Sequence, residues 1–508
     1  MFRLLSGSAL CAFVSIATPA YAQSASQSQT GSAQTDPTAQ NVPAAGGAKA
    51  PESKSNGYPA EAEGYGATTG GYNISRWAED WSKYKDPAKR DDFLDSLKYI
   101  PITDDVYLTL SGEARARVNF TSNQGLVETD AQRLDILRLV AGADLHLGEH
   151  VRVFGELANG TVDGVNTGAV AGTQRNDLFA QQIFVDIYGK VGNVDVGVRG
   201  GRQEFTDGIS MLVSARDNNA LMFTLDGVRA WAKGSKVRAD VFDFNFVTFG
   251  TEGLSDDKTD GGTRFSGISL GTVLPTSLFG GSKLFFDPLL WRLRSRNQTW
   301  GGVRGREERI YYGGRLWGTV GPLTVDYTVT REEGDFAGRP IKAWQVFAAQ
   351  TYRLGKESTA PRIGLRGDYG SGGDAFDPTK SLRTSFSPFG NNIYYTYGVF
   401  VGPINFLAAA PNLSFQPIKK VRVTAEYEFM WRSTDRDAVY RSNGTPYAGT
   451  QNVAGHHIGD AARLQAVWSI SPRLSFTGRL EHVAAGDVLT RAGYHSSNFG
   501  AGWVSFRF

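Results

Sequence analysis

Apolar and polar residues alternate along most of the chain after position 105. In the last strand, Phe506 and Val504 fall on one face, while Arg507 and Ser505 fall on the other. Such alternation predicts β-strands that have lipid or protein core on one side and water on the other. A terminal strand of this kind that ends on an aromatic residue, here Phe508, is typical of bacterial outer-membrane barrels. The last strand of a soluble all-β domain is the alternative.

The alternation recurs in enough segments to close a large barrel. The first segment spans 15 residues, which is about 50 Å of strand and more than a bilayer core requires. The even total of eighteen segments fits a single-chain bacterial barrel. We therefore predict an all-β fold, a transmembrane antiparallel β-barrel of about 18 strands over residues 105–508. The predicted strands are 106–120, 132–147, 151–160, 178–189, 194–204, 224–233, 237–249, 264–274, 283–296, 307–318, 323–332, 340–354, 361–370, 392–401, 420–432, 457–470, 474–484 and 497–508.

The connections alternate between short and long, as expected for short periplasmic turns and long extracellular loops. The long polar connections are 161–177, 205–223, 371–391 and 433–456. One connection departs from this pattern. Residues 402–419 should lie on the periplasmic side, yet they are numerous and include three prolines. We expect this segment to lie across the lower mouth of the barrel.

The amino-terminal region divides into three parts. Residues 1–22 have a basic start at Arg3, a short apolar run and an Ala-Tyr-Ala cleavage site, which predicts a secretory signal peptide. Residues 23–70 are rich in Ala, Ser, Gln, Gly, Thr and Pro, and we predict a disordered low-complexity linker. Residues 71–104 mix aromatic with charged side chains. They predict a periplasmic lead-in with a short amphipathic helix near 75–84.

Composition narrows the class of protein. The single cysteine, Cys11, lies within the predicted signal peptide, so the mature chain has no disulfide and no thiolate metal site. No stretch of about 18 apolar residues is present, whereas 61 glycines and 12% aromatic residues suit a barrel. The net charge of +2 gives no reason to expect a nucleic-acid partner. Arginine outnumbers lysine by 37 to 16, and arginine favours planar, bidentate contacts with carboxylate or phosphate.

Several short motifs resemble the alginate export family of outer-membrane barrels, in order and from about residue 75 to the end. They are Gly201-Arg202-Gln203-Glu204-Phe205, Asp226-Gly227-Val228-Arg229, Asp368-Tyr369-Gly370-Ser371-Gly372-Gly373-Asp374, Gly402-Pro403-Ile404-Asn405-Phe406 and the run from Trp431 to Tyr440. The chain departs from the family at Leu225, where an aromatic residue is expected, and in the shortened stretch 388–390. The resemblance implies an eighteen-stranded barrel with an arginine-rich lumen that conducts an anionic uronate polymer.

The polar face of the predicted strands carries the candidate substrate pathway. An arginine in the middle of the hydrocarbon region costs about 2–4 kcal/mol, so the lumen is its expected position. We place there Arg115, Arg117, Arg138, Arg152, Arg199, Arg229, Arg292, Arg294, Arg296, Arg315, Arg362, Arg366, Arg422, Arg432, Arg463 and Arg479. Because Arg292, Arg294 and Arg296 are like-charged neighbours on one strand, we expect them to form an anion-selective constriction or vestibule.

Other interpretations of these residues stay open. Each lumen arginine can instead pair with a carboxylate on the next strand and brace the wall. The nucleophile-elbow pattern at 267–271 lies within a predicted strand, where that motif does not operate. Asp256, Asp260 and Gly261 partly match a calcium loop, but Lys258 occupies a ligand position, so a loose loop cation site is the alternative there. We predict no catalytic residue, no resident metal and no cofactor.

The sequence thus predicts a passive outer-membrane channel for an anionic saccharide or a related organic acid. Its expected partners are this substrate, the outer-membrane lipids and the barrel-assembly machinery, which would recognise Phe508. We expect a monomer. A less selective porin for other small solutes is the alternative, and a barrel enzyme or adhesin is a minor one.

Overall fold

The computed structural model describes residues 58–59, 62–63, 71–170, 172–391 and 393–508. Eighteen antiparallel strands, β2 to β19, pair in sequence order, and β19 pairs with β2 to close a barrel. The predicted fold class is confirmed. The strands are β2 Val106–Thr121, β3 Gln132–Leu147, β4 Val151–Val165, β5 Asn176–Val191, β6 Val194–Gln203, β7 Leu225–Lys233, β8 Val237–Thr248, β9 Lys258–Val273, β10 Lys283–Trp300, β11 Val303–Val320, β12 Leu323–Phe336, β13 Arg339–Arg353, β14 Arg362–Gly370, β15 Phe406–Ile418, β16 Val421–Trp431, β17 His457–Ser469, β18 Leu474–Ala485 and β19 Ser497–Arg507.

The two ends of the barrel differ in their connections. The chain enters β2 and leaves β19 at the end that carries mostly short turns, such as 148–150 and 419–420, and we call this the turn end. The opposite end carries the segments 204–224, 371–405 and 432–456, and we call this the loop end. Among the described residues the two α-helices are single turns, α1 Phe93–Ser96 before the barrel and α2 Asp487–Arg491 in the last loop. The described residues include no helix long and apolar enough to cross a membrane.

The barrel closes beside the carboxyl terminus. Strand β19 pairs with β2 from Thr121 down to Glu113, and Phe508 then exchanges two 3.0 Å backbone hydrogen bonds with Gly112. Below that point the same edge of β2 is covered by the two-residue strand β1, Ile100–Pro101, which pairs with Leu108 and Tyr107. The backbone N–H and C=O groups at this edge of β2 therefore have hydrogen-bond partners along most of the strand, as a barrel in lipid requires.

One predicted strand is wrong. The described residues 393–401 of the predicted strand 392–401 form a buried, non-strand part of the 371–405 connection. The fourteenth strand of the barrel is β15 instead. The predicted periplasmic connection 402–419 is therefore wrong as well, because most of it forms β15 and a tight turn follows at 419–420. Pro411 made β15 look irregular, yet it is exposed on the outer face with Leu407 and Leu413. The aromatic and β-branched residues of 393–401 favour a strand locally, but burial overrides that preference.

The connections 205–223 and 371–391, which we expected to be polar extracellular loops, belong to two loop-end segments that fold into the barrel. Residues 204–224 and 371–405 contain many buried apolar side chains, and these pack against the inner wall. The largest hydrophobic cluster joins wall residues to both segments; it includes Phe242, Phe265, Trp291 and Tyr311 from strands and Met211, Leu212, Phe389, Tyr395 and Phe400 from the segments. The interior at the loop end is consequently a packed core.

The lead-in packs against the turn end of the barrel. In place of one amphipathic helix it forms short 3₁₀ turns, of which Arg76–Ala78 and Ser82–Lys85 lie in the predicted region. Arg76 and Trp77 are buried within the barrel, while Tyr72, Trp81, Tyr84 and Tyr99 form an aromatic cluster with Tyr107 of β2. The segment is thereby held by contacts with the wall of the barrel.

The predicted signal peptide, 1–22, lies outside the described residues, and so does most of the predicted linker, 23–70. Four residues of the linker region are described. Tyr58 and Ala62 are buried against Phe285 and Trp317 of the inner wall. The carboxylate of Glu63 forms an ion pair with the ammonium group of Lys233 at 2.9 Å. This part of the segment therefore contacts the barrel interior near the turn end.

Candidate functional site in the lumen

Most of the predicted pathway arginines point into the barrel. These are Arg115, Arg117, Arg138, Arg152, Arg199, Arg229, Arg315, Arg362, Arg366, Arg422, Arg463 and Arg479, which share their strand faces with other buried or lumen-facing residues. They do not line an open, water-filled lumen. Eight of the twelve are buried and the other four are partly buried, because the inward segments, the lead-in and neighbouring wall residues cover them. Their neighbours therefore decide what each can do.

Three of these arginines converge on the tip of the inward segment 204–224. Arg138 lies 2.7 Å from the carboxylate of Asp217, and Arg115 lies 3.1 Å from the same carboxylate. Arg117 donates a 3.0 Å hydrogen bond to the carbonyl of Asn218. Strands β2 and β3 thus present guanidinium groups that bind one carboxylate and its neighbouring carbonyls. We call Arg115, Arg117 and Arg138 the arginine cradle.

Wall carboxylates do not balance the charge of the cradle fully. Glu113 lies 2.7 Å from Arg115 and 3.8 Å from Arg138, but it also pairs with Arg76 of the lead-in. Arg76 in turn lies 2.9 Å from Glu156 of β4. Asp217 is therefore the acidic group that comes from a loop and not from the wall or lead-in, and it occupies the position of an anionic ligand.

A second cluster lies on strands β14, β16 and β17. Arg366 pairs with Asp368, with Glu428 at 3.0 Å and with Glu426 at 3.5 Å, and it donates to the carbonyl of Tyr394. Arg463 pairs with the same two glutamates and donates to the carbonyl of Tyr395. Acids outnumber bases here, so this cluster braces the wall and the segment 371–405.

Arg152 and Arg199 share Asp186 and are covered by the lead-in. Arg199 makes 2.7 and 2.9 Å hydrogen bonds to the Asp186 carboxylate, and its guanidinium stacks 3.8 Å from the ring centre of Trp77 and 3.7 Å from that of Phe184. Arg152 donates a 2.8 Å bond to the carbonyl of Trp77. These arginines hold the lead-in in the lumen.

The remaining inward arginines have local partners. Arg229 pairs with Asp240, and Arg315 pairs at 2.6 Å with Asp326 and donates to the carbonyl of Gly208. Arg479 pairs with Glu481 and lies 4.6 Å over the ring of Tyr397. Arg362 and Arg422 lie near the turn end, where they donate to Ser358 and Ser414. Several of these arginines therefore brace the wall of the barrel, and they do not line a pathway that is open to a substrate.

The strand run that we expected to form the constriction lies on the opposite face. Arg292, Arg294 and Arg296 share the outward parity of β10 with Leu290, which is 50% exposed, while Trp291 and Leu293 point inward and are buried. The prediction that they line the lumen is wrong. The inward segments make this part of the lumen apolar, so alternation here puts the charged residues outside.

Arg432 is also not on a lumen strand face. It follows β16 and donates hydrogen bonds to the carbonyls of Gly455, Asp437 and Thr450, which fixes the segment 432–456. Asp437 in that segment accepts bonds from Gly373, Thr384 and Tyr440, and burial raises the pKa of its carboxyl above the usual range. The two residues join neighbouring loop-end segments.

Sequence reasoning missed three residues of the lumen. Asp217 was missed because it belongs to a segment interpreted as an outer loop. Arg309 pairs with Glu307 and Glu332, and it lies on the same face of β11 as Tyr311 and Arg315. The alternation of residues along β11 could therefore have predicted that Arg309 points into the lumen. Arg76 carries no such signal, since its position depends on how the lead-in enters the barrel.

The proposed loop cation site has other partners. Asp256 accepts backbone hydrogen bonds from Thr251 and Glu252, and Asp260 accepts one from Gly262. Within the described ranges, no group of three or more His, Cys, Asp or Glu side chains is arranged to hold a metal ion.

Solved structures with a similar fold include several proteins that carry the name Occ. OccK5 (OpdH) of Pseudomonas aeruginosa is 10% identical, with 79% of this chain and 98% of that chain covered at a TM-score of 0.51. OccAB1 of Acinetobacter baumannii is 10% identical, with 82% and 99% covered at a TM-score of 0.52. At such identities the similarity concerns the fold. No curated protein matches the chain significantly.

The family comparison extends over most of the barrel. A sequence model described as "Alginate export" matches residues 106–502, which include β2 to β18 in full and the first six residues of β19. The match confirms the family that the motifs indicated, and the barrel fold agrees with it. The protein resides in the outer membrane, as this family and fold imply, and the chain belongs to the alginate export family of outer-membrane β-barrels.

Proposed function

We propose that this barrel is a passive channel that conducts an anionic saccharide of the uronate type, or a related organic acid, across the outer membrane. The turn end then faces the periplasm and the loop end faces the outside. The protein works as a monomer and needs no cofactor, and catalysis has no part in its role. Phe508 serves as the recognition element for the barrel-assembly machinery.

The arginine cradle is the observation that supports the proposal most. A carboxylate is the charged group of a uronate, and Asp217 brings a carboxylate to Arg115 and Arg138 from a segment that is not part of the wall. Arginine binds carboxylates through paired, planar hydrogen bonds. When segment 204–224 withdraws, the cradle is left with surplus positive charge in the lumen, as an anion pathway requires.

The inward segments account for the closed interior in this proposal. Segments 204–224 and 371–405 fill the loop end, and they contact one another through the 2.7 Å hydrogen bond between the side chains of Asn391 and Asn218. Conduction then requires that Asp217 leave the cradle. A substrate carboxylate replaces it there, so that a buried guanidinium is never left without an anion.

Asp217→Asn tests the proposal in a planar bilayer. The amide keeps the shape but removes the charge that holds the segment to Arg115 and Arg138. We expect the anion-to-cation permeability ratio and the conductance to rise several-fold, and block by an oligouronate to strengthen by about tenfold. Arg138→Gln should change the permeability ratio in the opposite direction.

Asp135→Asn is the matched control, because Asp135 pairs with Arg133 on the outer face and carries the same charge. It should leave selectivity unchanged. A permeability ratio that is unmoved in Asp217→Asn and Arg138→Gln would contradict the proposed pathway. Equal passage of neutral and anionic sugars would support the alternative, a less selective porin.

A further inference from the structure

The outer face of strands β9, β10 and β11 changes character along each strand. Toward the turn end its outward side chains are apolar, as with Leu270, Leu290 and Tyr312, each of which is more than a third exposed. Toward the loop end they become polar and then charged. On β10 the change occurs between Leu290 and Arg292, which are two residues apart. Since arginine is costly in hydrocarbon, this change marks the upper edge of the lipid core.

Six arginines lie above that edge on the outward face of three adjacent strands. Strand pairing brings Arg294 directly opposite Arg264, and Arg292 lies beside them on the same face. The β10–β11 hairpin adds two more arginines close to its tip. We call the following set the outer arginine patch: Arg264, Arg292, Arg294, Arg296, Arg304 and Arg306.

Carboxylates neutralise only part of this charge. Arg292 and Arg294 share the single carboxylate of Glu308, and Arg264 pairs with Asp243 of β8. No carboxylate among the described residues lies within ion-pair distance of Arg296, Arg304 or Arg306. The side chains of Arg292 and Arg294 stay 40% and 44% exposed despite their partner. A surplus of positive charge therefore faces outward at the height of the lipid headgroups.

We propose that the outer arginine patch binds the phosphate groups of an anionic lipid of the outer leaflet. Its depth fits a headgroup, because the arginines begin where the exposed apolar residues end. Its residue type fits phosphate, since a guanidinium binds phosphate oxygens in a bidentate manner. Its position on the outside of the wall separates it from the lumen and from the arginine cradle, so the proposal does not depend on what the channel conducts.

The test uses the full-length protein in detergent and measures lipid binding by native mass spectrometry. The probes are bisphosphorylated lipid A and the same lipid without its phosphates. We expect the wild-type protein to prefer the phosphorylated form by at least tenfold. Arg292→Gln, Arg294→Gln and Arg296→Gln together should abolish most of that preference, and the three Arg→Lys changes should weaken it less.

Lys236→Gln, Lys356→Gln and Lys419→Gln together are the matched control, because these exposed lysines at the turn end carry the same total charge. This variant should keep the wild-type preference. The double variant Arg304→Gln and Arg306→Gln removes charge near the hairpin tip and serves as the test if the triple variant at Arg292, Arg294 and Arg296 does not fold. Equal binding of both lipids by the wild type, or an undiminished preference in the folded glutamine variants, would overturn the proposal. Binding of a soluble oligouronate at the patch, with no lipid preference, would overturn it as well.

Discussion

The indole nitrogen of Trp77 donates a 2.7 Å hydrogen bond to the carboxylate of Glu204, which joins the lead-in to the first residue of an inward loop-end segment. The two residues are 127 positions apart and both are buried. Arg199 stacks against the same indole ring. One side chain from the lead-in therefore touches both the wall and the base of the segment that carries Asp217.

Changing Trp77 should release the lead-in from the lumen. Trp77→Ala removes a buried indole and should cost about 3–5 kcal/mol of docking free energy. Trp77→Phe keeps a ring against Arg199 but loses the hydrogen bond to Glu204, so about 1–3 kcal/mol is expected. Hydrogen–deuterium exchange of the amides at 76–78 in detergent measures the effect. Equal protection in the wild type and in Trp77→Ala would show that these contacts do not hold the segment.

Gly112→Val should impair closure of the barrel. A Cβ at Gly112 would lie 2.5 Å from the ring of Phe508, so the terminal residue would have to leave its place on β2. We expect slower assembly and a lower temperature for loss of the compact, heat-modifiable form on gels. Gly155→Val is the control, because no atom lies within 4 Å of a Cβ at that position. Identical behaviour of the two variants would remove the role of the Phe508 contact.

Arg366→Met should be strongly destabilising. The guanidinium is buried and pairs with Asp368 and Glu428, so its loss leaves uncompensated charges in the lumen, at a cost of about 3–5 kcal/mol. Arg133→Met removes an exposed ion pair with Asp135 and should cost less than about 1 kcal/mol. Urea unfolding in lipid vesicles compares the two. A small effect of Arg366→Met would mean that the cluster does not brace the wall.

Docking of the lead-in should strengthen as the pH rises from about 8 to 9.5. Burial lowers the pKa of Lys98 to about 8, although Glu79 lies 3.7 Å from its ammonium group. The undocked lysine keeps its ordinary, higher pKa and binds more protons in this window, so the docked state gains stability as protons are released. The range stops below the titration of Tyr72, whose pKa is raised by burial.

Lys98→Met checks the origin of this dependence. It removes the buried charge, so docking should be tighter at pH 7 and flat between pH 8 and 9.5. The measurement is protection of residues 95–99 from exchange, corrected for the intrinsic effect of pH. Wild-type docking that weakens as the pH rises through this range would contradict the prediction.

The alternation of residues by itself determined the barrel. Seventeen of the eighteen predicted strands coincide with observed ones, because a strand between lipid and lumen must show two different faces wherever it crosses the membrane. The family followed from short motifs and was confirmed by the match over residues 106–502. The error at β15 arose where Pro411 and a run of small residues weakened the pattern, and where 393–401 resembled a strand.

Only the tertiary structure decided what fills the lumen. Alternation gives two faces but does not say which is inside, and the usual rule places arginine in water within the barrel. At the loop end of β10 the inward segments bring apolar side chains such as Phe389 into the lumen, so Trp291 points inward and Arg292 points out. Asp217 reaches Arg138 across 79 residues of sequence, and no local pattern encodes a contact made by a loop that folds back through the barrel.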